Sequence, residues 1–192
     1  LHGLPRLGTL RHAGRSSFRF AQSGYESLMH SPQFHIITDW SVDAPREKVW
    51  PLLFAADQWP SWWRAVKRVE CMTDGDEGGI GAVRRMTWRT VLPYSLTFDM
   101  RTTNVEPMTR IEGEAEGALS GTGRWDVWPD GRRTRVRYEW IVEVVEPRLR
   151  MLVPLLRQAF IWNHNAAMGS GFEGLIAKLA AQGRISQPLR KN

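Results

Sequence analysis

The side chains of this sequence that could do chemistry are few. Its histidines are His2, His12, His30, His35 and His164, and Cys71 is its single cysteine. No two histidines have the His-x-x-x-His spacing that puts two ligands on one helix face, and no glutamate accompanies such a pair. A metal site therefore lacks its ligand set. One cysteine excludes an intramolecular disulfide and a cysteine-based zinc site. The chain has no Walker-type phosphate loop and no Gly-x-Ser-x-Gly elbow, and its one Gly-x-Gly-x-x-Gly string, Gly169–Gly174, lies inside a long helical pattern rather than between a strand and a helix start. That argues against nucleotide-dependent and covalent hydrolase chemistry. No cofactor is implied. What is left is general acid–base work, which needs only one or two proton carriers held in an apolar cavity. Tyr138 and His164 are the candidates, with Arg84 behind them. Each also has a plain structural reading. Tyr138 could be a core aromatic whose hydroxyl reaches the edge, and His164 a helix residue bonded to Asn163, the sheet or solvent.

Those residues need elements to hold them. Phe34, Ile36, Trp40 and Val42 share one face of an alternating run, which predicts a first strand. Asp43-Ala44-Pro45 is a helix-start signal, with Pro45 at the first helical position. Val49, Leu52, Leu53 and Ala56 then form a helix that Pro51 keeps short or irregular. Asp57–Trp63, dense in Trp and Pro, fits one more helical turn. Strands follow near 65–73, 81–91, 95–106, 110–117, 120–128 and 133–145. Their separators include Asp74–Gly79, Leu92-Pro93 and Pro129-Asp130-Gly131; in the last, Pro presets φ and Gly accepts φ > 0. Trp128 falls at this turn, out of phase with Trp125.

Sequential strands with short links predict an antiparallel meander. One face is apolar, carrying Leu96, Phe98 and Met100, then Ile111, Gly113, Ala115 and Gly117, then Val136, Tyr138, Trp140 and Val142. The other is a mixed-charge surface suited to cross-strand Arg/Glu pairs. Its carboxylate row, Glu112, Glu114 and Glu116, has no supporting histidine. About Leu149–Gln182 reads as the only long helix, with Pro154 marking its first turn or an early kink. Ile161, Asn165, Met168, Phe172, Leu175, Ile176 and Leu179 fall on one stripe, with His164 and Trp162 on opposite flanks. A curved sheet with one apolar face must be covered, and this helix is the only candidate large enough.

The length of 192 residues suits one domain with a real core, and 42% hydrophobic with 24% charged residues is ordinary globular composition. No run approaches the roughly 20 apolar residues of a membrane span. Half of the net charge of +6 comes from residues 1–28, where Arg6, Arg11, Arg15 and Arg19 face only Glu26. The rest alternates in sign, unlike a nucleic-acid footprint. Residues 1–31 read as an extension, either a transit-like segment or an over-extended start before Met29. Residues 32–182 form the domain and 183–192 a tail, and the protein is expected in the cytoplasm. The ten tryptophans are the unusual number. At roughly 150–250 Å² each, they make either a very aromatic core or a wall kept for a ligand.

This order of elements, with several strings, resembles the SRPBCC or START-like superfamily and its helix-grip fold. The strings are Val42-Asp43-Ala44-Pro45-Arg46-Glu47-Lys48-Val49-Trp50; Asp57-Gln58-Trp59-Pro60-Ser61-Trp62-Trp63; Leu92-Pro93-Tyr94; Val105-Glu106-Pro107; and Gly121-Thr122-Gly123-Arg124-Trp125. Trp162-Asn163-His164 and Glu173-Gly174-Leu175 close the match, which spans about Phe34–Ala181. Within the superfamily the chain looks most like bacterial polyketide cyclase/dehydrase-like and lipid-transport-like proteins.

The resemblance implies an α+β fold, with a curved antiparallel sheet of about seven strands wrapped on the C-terminal helix and two short helices after the first strand. It also implies a cavity for a hydrophobic small molecule. Its expected lining is Trp88, Phe98, Trp125, Tyr138, Trp140, Trp162, His164 and Met168. No catalytic motif is shared across the superfamily. The favoured expectation is a non-catalytic binder or carrier of an aromatic or polyprenyl-like molecule. The alternative is a cyclase/aromatase-type enzyme using Tyr138 or His164. A cavity well below about 300 Å³ would weaken both and favour a filled core acting through its surface.

Overall fold

The computed structural model describes residues 33–89 and 95–185. The expectations for residues 1–31, for Leu92-Pro93-Tyr94 and for tail residues 186–192 lie outside the described residues.

One antiparallel sheet is built from β1 (Gln33–Val42), β2 (Val66–Thr73), β3 (Val83–Arg89), β4 (Ser95–Glu106), β5 (Arg110–Gly117), β6 (Leu119–Asp130) and β7 (Arg133–Val144). The order is β1-β7-β6-β5-β4-β3-β2, so the meander of β2 through β7 is completed by β1 beside β7. Alternation carries straight into packing. On β7, Val136, Trp140 and Val142 are buried, while Arg135 and Arg137 are exposed. On the outer face Arg137 meets Asp39 of β1 at 2.8 Å, Arg110 meets Asp126 at 2.7 Å and Arg124 meets Glu139 at 2.6 Å. Such partly exposed pairs contribute up to about 1 kcal/mol each and mainly fix register. Bulges between Val66 and Arg68, Cys71 and Thr73, and Thr102 and Asn104 bend the strands.

Two short helical pieces follow β1: α1 (Arg46–Phe54) and a 3-10 turn (Ala56–Ser61). Pro45 precedes α1 rather than opening it. Its backbone is extended at φ −67° and ψ 149°, and its carbonyl accepts from the Lys48 N–H at 3.0 Å. The β6–β7 hairpin turns at Gly131 with φ 61°. Trp128 lies within β6 rather than at this turn, on the outer face and 39% exposed. The glycine-rich run before it is close backbone packing, since a Cβ at Gly121 would collide with the Ile141 carbonyl.

The terminal helix α2 runs from Pro147 to Ile185, with Pro154 inside it, and so reaches past 182 into the expected tail. Its buried face differs from the expected stripe. Val153, Met168, Ser170, Gly171 and Leu175 are buried, His164 lies within this face, and Asn165 and Ile176 point outward. Glycines explain the rotation, because they carry no hydrophobic signal and yet make the closest approach. A Cβ at Gly171 would enter the Trp63 indole, and one at Gly174 would meet the Trp62 carbonyl. The Trp63 indole N–H also donates to the Ala167 carbonyl of α2 at 2.8 Å.

This seat predicts opposite outcomes for two similar substitutions. Gly174→Ala should destabilise the protein by about 2–3 kcal/mol through overpacking. Gly169→Ala, with open space where its Cβ would go, should stabilise by about 0.5–1 kcal/mol. Urea unfolding of both variants checks this, and equal effects would refute the proposed seat.

Candidate functional site

A cavity of about 190 Å³ lies between the sheet's inner face and α2. β1 contributes Phe34 and Ile36, β3 Met86 and Trp88, and β4 Leu96, Phe98 and Met100. Trp125, Tyr138 and Trp140 come from β6 and β7, and Phe160, Asn163, His164, Ala167 and Met168 from α2. The inward phase of each strand sets these positions.

Tyr138 sits opposite Trp125 in the β6–β7 register and stacks on it, with ring centroids 4.2 Å apart and planes inclined by 28°. Gly123 makes room for its hydroxyl, since a Cβ there would lie 2.7 Å from that oxygen. The hydroxyl has no hydrogen-bond partner among the described residues. Burial pushes its pKa well above the ordinary tyrosine value. The His164 ring lies nearly parallel to Tyr138, at 9° and 6.4 Å between centroids. Its Nε2 is 3.4 Å from the Thr38 hydroxyl of β1. Burial lowers its pKa from 6.5 to about 4, so the imidazole is neutral at pH 7. Arg84 also lines the cavity, but its Nε donates to Asp57 at 2.9 Å, which commits its charge to the 3-10 turn. Among the described residues no group of three His, Cys, Asp or Glu side chains is placed to hold a metal.

The expected lining residues Trp88, Phe98, Trp125, Tyr138, Trp140, His164 and Met168 are brought together here. Trp162 is a correction. It is 56% exposed and off the cavity, because the buried stripe is rotated toward the His164 flank and leaves the opposite flank in water. The other tryptophans divide further. Trp59 and Trp63 line the cavity, whereas Trp40 and Trp50 fill core away from it. Thr38 is a site residue that sequence reasoning misses although the signal is present: it shares the face of Ile36 and Trp40 and is the polar residue in that apolar row. The volume of about 190 Å³ also lies below the roughly 300 Å³ mark, which weakens both ligand readings and counts toward a filled core, since aromatic rings occupy much of the inner face.

A curved antiparallel sheet gripping a C-terminal helix around an apolar cavity defines the helix-grip class of domains. Residues 33–182 match the family of polyketide cyclase / dehydrase and lipid transport proteins, and the chain belongs to that family. Among solved structures it is similar to TTHA0849 from Thermus thermophilus, at 19% identity and TM-score 0.66 over 78% of this chain and 99% of that one. The Zhui aromatase/cyclase from Streptomyces sp. R1128 is similar at 15% identity and TM-score 0.65, over 82% and 99%. A START superfamily protein from Mycobacterium smegmatis follows at 16% identity and TM-score 0.57, over 73% and 98%. No curated protein matches the chain. These likenesses establish the fold. Among the described residues no helix is long and apolar enough to cross a membrane.

The His164 environment carries a signed pH dependence. Between about 6.5, where the unfolded side chain titrates, and about 4, the unfolded chain binds a proton that the folded one refuses. Stability therefore falls as pH drops through this window, by roughly 3 kcal/mol in all. His164→Gln should flatten that part of the urea-midpoint profile. Parallel profiles for the two proteins would rule out a buried neutral imidazole.

Proposed function

We propose that the protein binds one compact, largely apolar small molecule in this cavity and holds it without converting it. The observation that carries the reading is the pair of neutral polar groups, Tyr138 and His164, facing a largely apolar space whose charged lining residues are Arg84, Arg89, Arg101 and Glu112. Proton-transfer catalysts work best with pKa values near the operating pH. Burial here drives the two groups in opposite directions away from it, to well above 10 for the phenol and about 4 for the imidazole. What is left is recognition: a phenol O–H that can donate to a ligand carbonyl or ether, and an imidazole tethered to Thr38.

The size supports a small occupant. An apolar cavity of about 150 Å³ takes benzene, so about 190 Å³ suits one or two rings rather than a prenyl chain. Burial of the ligand's apolar area, at about 25 cal/mol per Å² before association costs, would drive binding. The free, exposed Cys71 thiol is compatible with a reducing compartment, and this reading places the protein in the cytoplasm. A cyclase-type reading has one observation in its favour, the near-parallel approach of Tyr138 and His164 within one cavity. It requires a ligand that returns both groups toward neutral pKa values.

Native mass spectrometry with solvent extraction, followed by titration of the tryptophan fluorescence with one- and two-ring phenols and ketones, tests the binding reading. Retention of an apolar molecule or a saturable shift is expected. Tyr138→Phe should weaken that binding about five-fold, the loss of one hydrogen bond, without lowering stability. No retained molecule and no shift across a lipid and polyphenol panel would count against it. Turnover that a Tyr138→Phe, His164→Ala double variant abolishes would favour the enzyme instead.

A further inference from the structure

Much of the exposed large apolar surface among the described residues gathers on one segment. Met151 is 82% exposed, Leu155 81%, Trp162 56% and Leu152 42%, all in the N-terminal half of α2. Steps of four and seven residues put Met151, Leu155 and Trp162 on one line of the helix, about 16 Å long at 1.5 Å per residue. Residues on the opposite face of the same turns, Phe160 and His164, line the cavity. An apolar line of this kind, open to water, marks a surface that something covers.

Charge and area say what. From 147 to 172 the helix carries Arg148, Arg150 and Arg157 and no Asp or Glu. Arg150 lies 3.3 Å from Glu143. Arg157 donates to the Gln33 carbonyl at 3.1 Å and sits 4.7 Å above the Phe34 ring. A second copy docked through the same line would bring Arg148 and Arg157 of both copies together with no carboxylate in the segment to answer them, while Arg150 is answered by Glu143. Four side chains also cover only several hundred Å², short of the roughly 800 Å² per partner of a stable interface.

A bilayer surface needs neither. A helix with Trp and Leu on one face and Arg along its flanks settles that face into the headgroup–acyl boundary, and anionic lipids answer the arginines. We propose that the Met151–Leu155–Trp162 line docks this protein onto an anionic lipid bilayer, with the first half of α2 lying in the plane of the surface. This holds whatever the cavity contains.

Flotation of the full chain with vesicles of phosphatidylcholine and phosphatidylglycerol, and with phosphatidylcholine alone, tests it. The wild type should float with the anionic vesicles and much less with the neutral ones. A Met151→Glu, Leu155→Glu double variant changes two water-facing side chains, so its circular dichroism and melting should match the wild type. Its bound fraction should fall more than about ten-fold, from the loss of two buried apolar groups. Arg148→Glu should weaken anionic binding about five- to ten-fold and leave the neutral background unchanged. Arg6, Arg11, Arg15 and Arg19 are present in every variant. If they carry the binding, the double variant floats like the wild type and the proposal fails. It also fails if the wild type does not float. A concentration-dependent dimer that the double variant dissolves, without flotation, would assign the line to a second copy instead.

Discussion

Trp63 is the side chain on which the rest of the arrangement depends. It is fully buried, and its indole N–H holds the Ala167 carbonyl of the terminal helix. Its ring lies within 5.0–6.2 Å of Trp59, Trp88, Trp62, Trp40 and Trp125. One residue therefore ties the segment after α1 to β1, β3, β6 and α2. The glycines of α2 are the complement to this constraint, because a side chain at Gly171 would occupy the space of the indole. Where the helix comes down is set here, by a shape match between a ring and a missing Cβ.

Fixing the helix at Trp63 divides the interior in two. One core gathers around the tryptophan cluster and Leu175, and the other around Phe34, Phe98, Trp140 and Val153. Trp88, Met100 and Tyr138 pack against both, and all three line the cavity. The cavity is thus the seam between two well-packed cores. Rigid aromatic rings cannot bend to close such a seam, so space persists there although the protein is rich in large side chains.

Much of this is legible in the sequence because period-2 alternation has one structural meaning. The inward rows of β4 and β7, including Phe98, Tyr138 and Trp140, can be read without knowing their partners. So can the outward charge of Arg135 and Arg137. The helix phase is less legible. Ile176 carries more apolar weight than Gly171, yet Gly171 touches the core and Ile176 faces water, because close approach rewards the absence of a side chain. Trp162 misleads for the same reason, since its composition suits a wall and its angular position does not. Volume cannot be read at all, because it depends on ring orientations rather than on which residues face inward.

The same burial that shapes the cavity also fixes what its polar groups can do. On the outer face, Arg137 and Arg85 hold Asp39 and Asp99 below the usual carboxylate range by direct hydrogen bonding, so charge is retained where water and partners support it. On the inner face, Tyr138 and His164 have no charged partner and burial alone acts on them. At pH 7 the phenol therefore keeps its proton and the imidazole stays neutral. The sheet thus carries paired charges on its outer face and the neutral pair Tyr138 and His164 on its inner face, with Arg84, Arg89, Arg101 and Glu112 at the cavity wall. A neutral donor and a tethered imidazole discriminate ligands by hydrogen-bond pattern and shape. To move protons at pH 7 the site would need a nearby charge to bring either group back toward neutrality. Arg84, Arg89, Arg101 and Glu112 line the wall, yet Arg84 is already held by Asp57 and burial is the one cause acting on Tyr138 and His164.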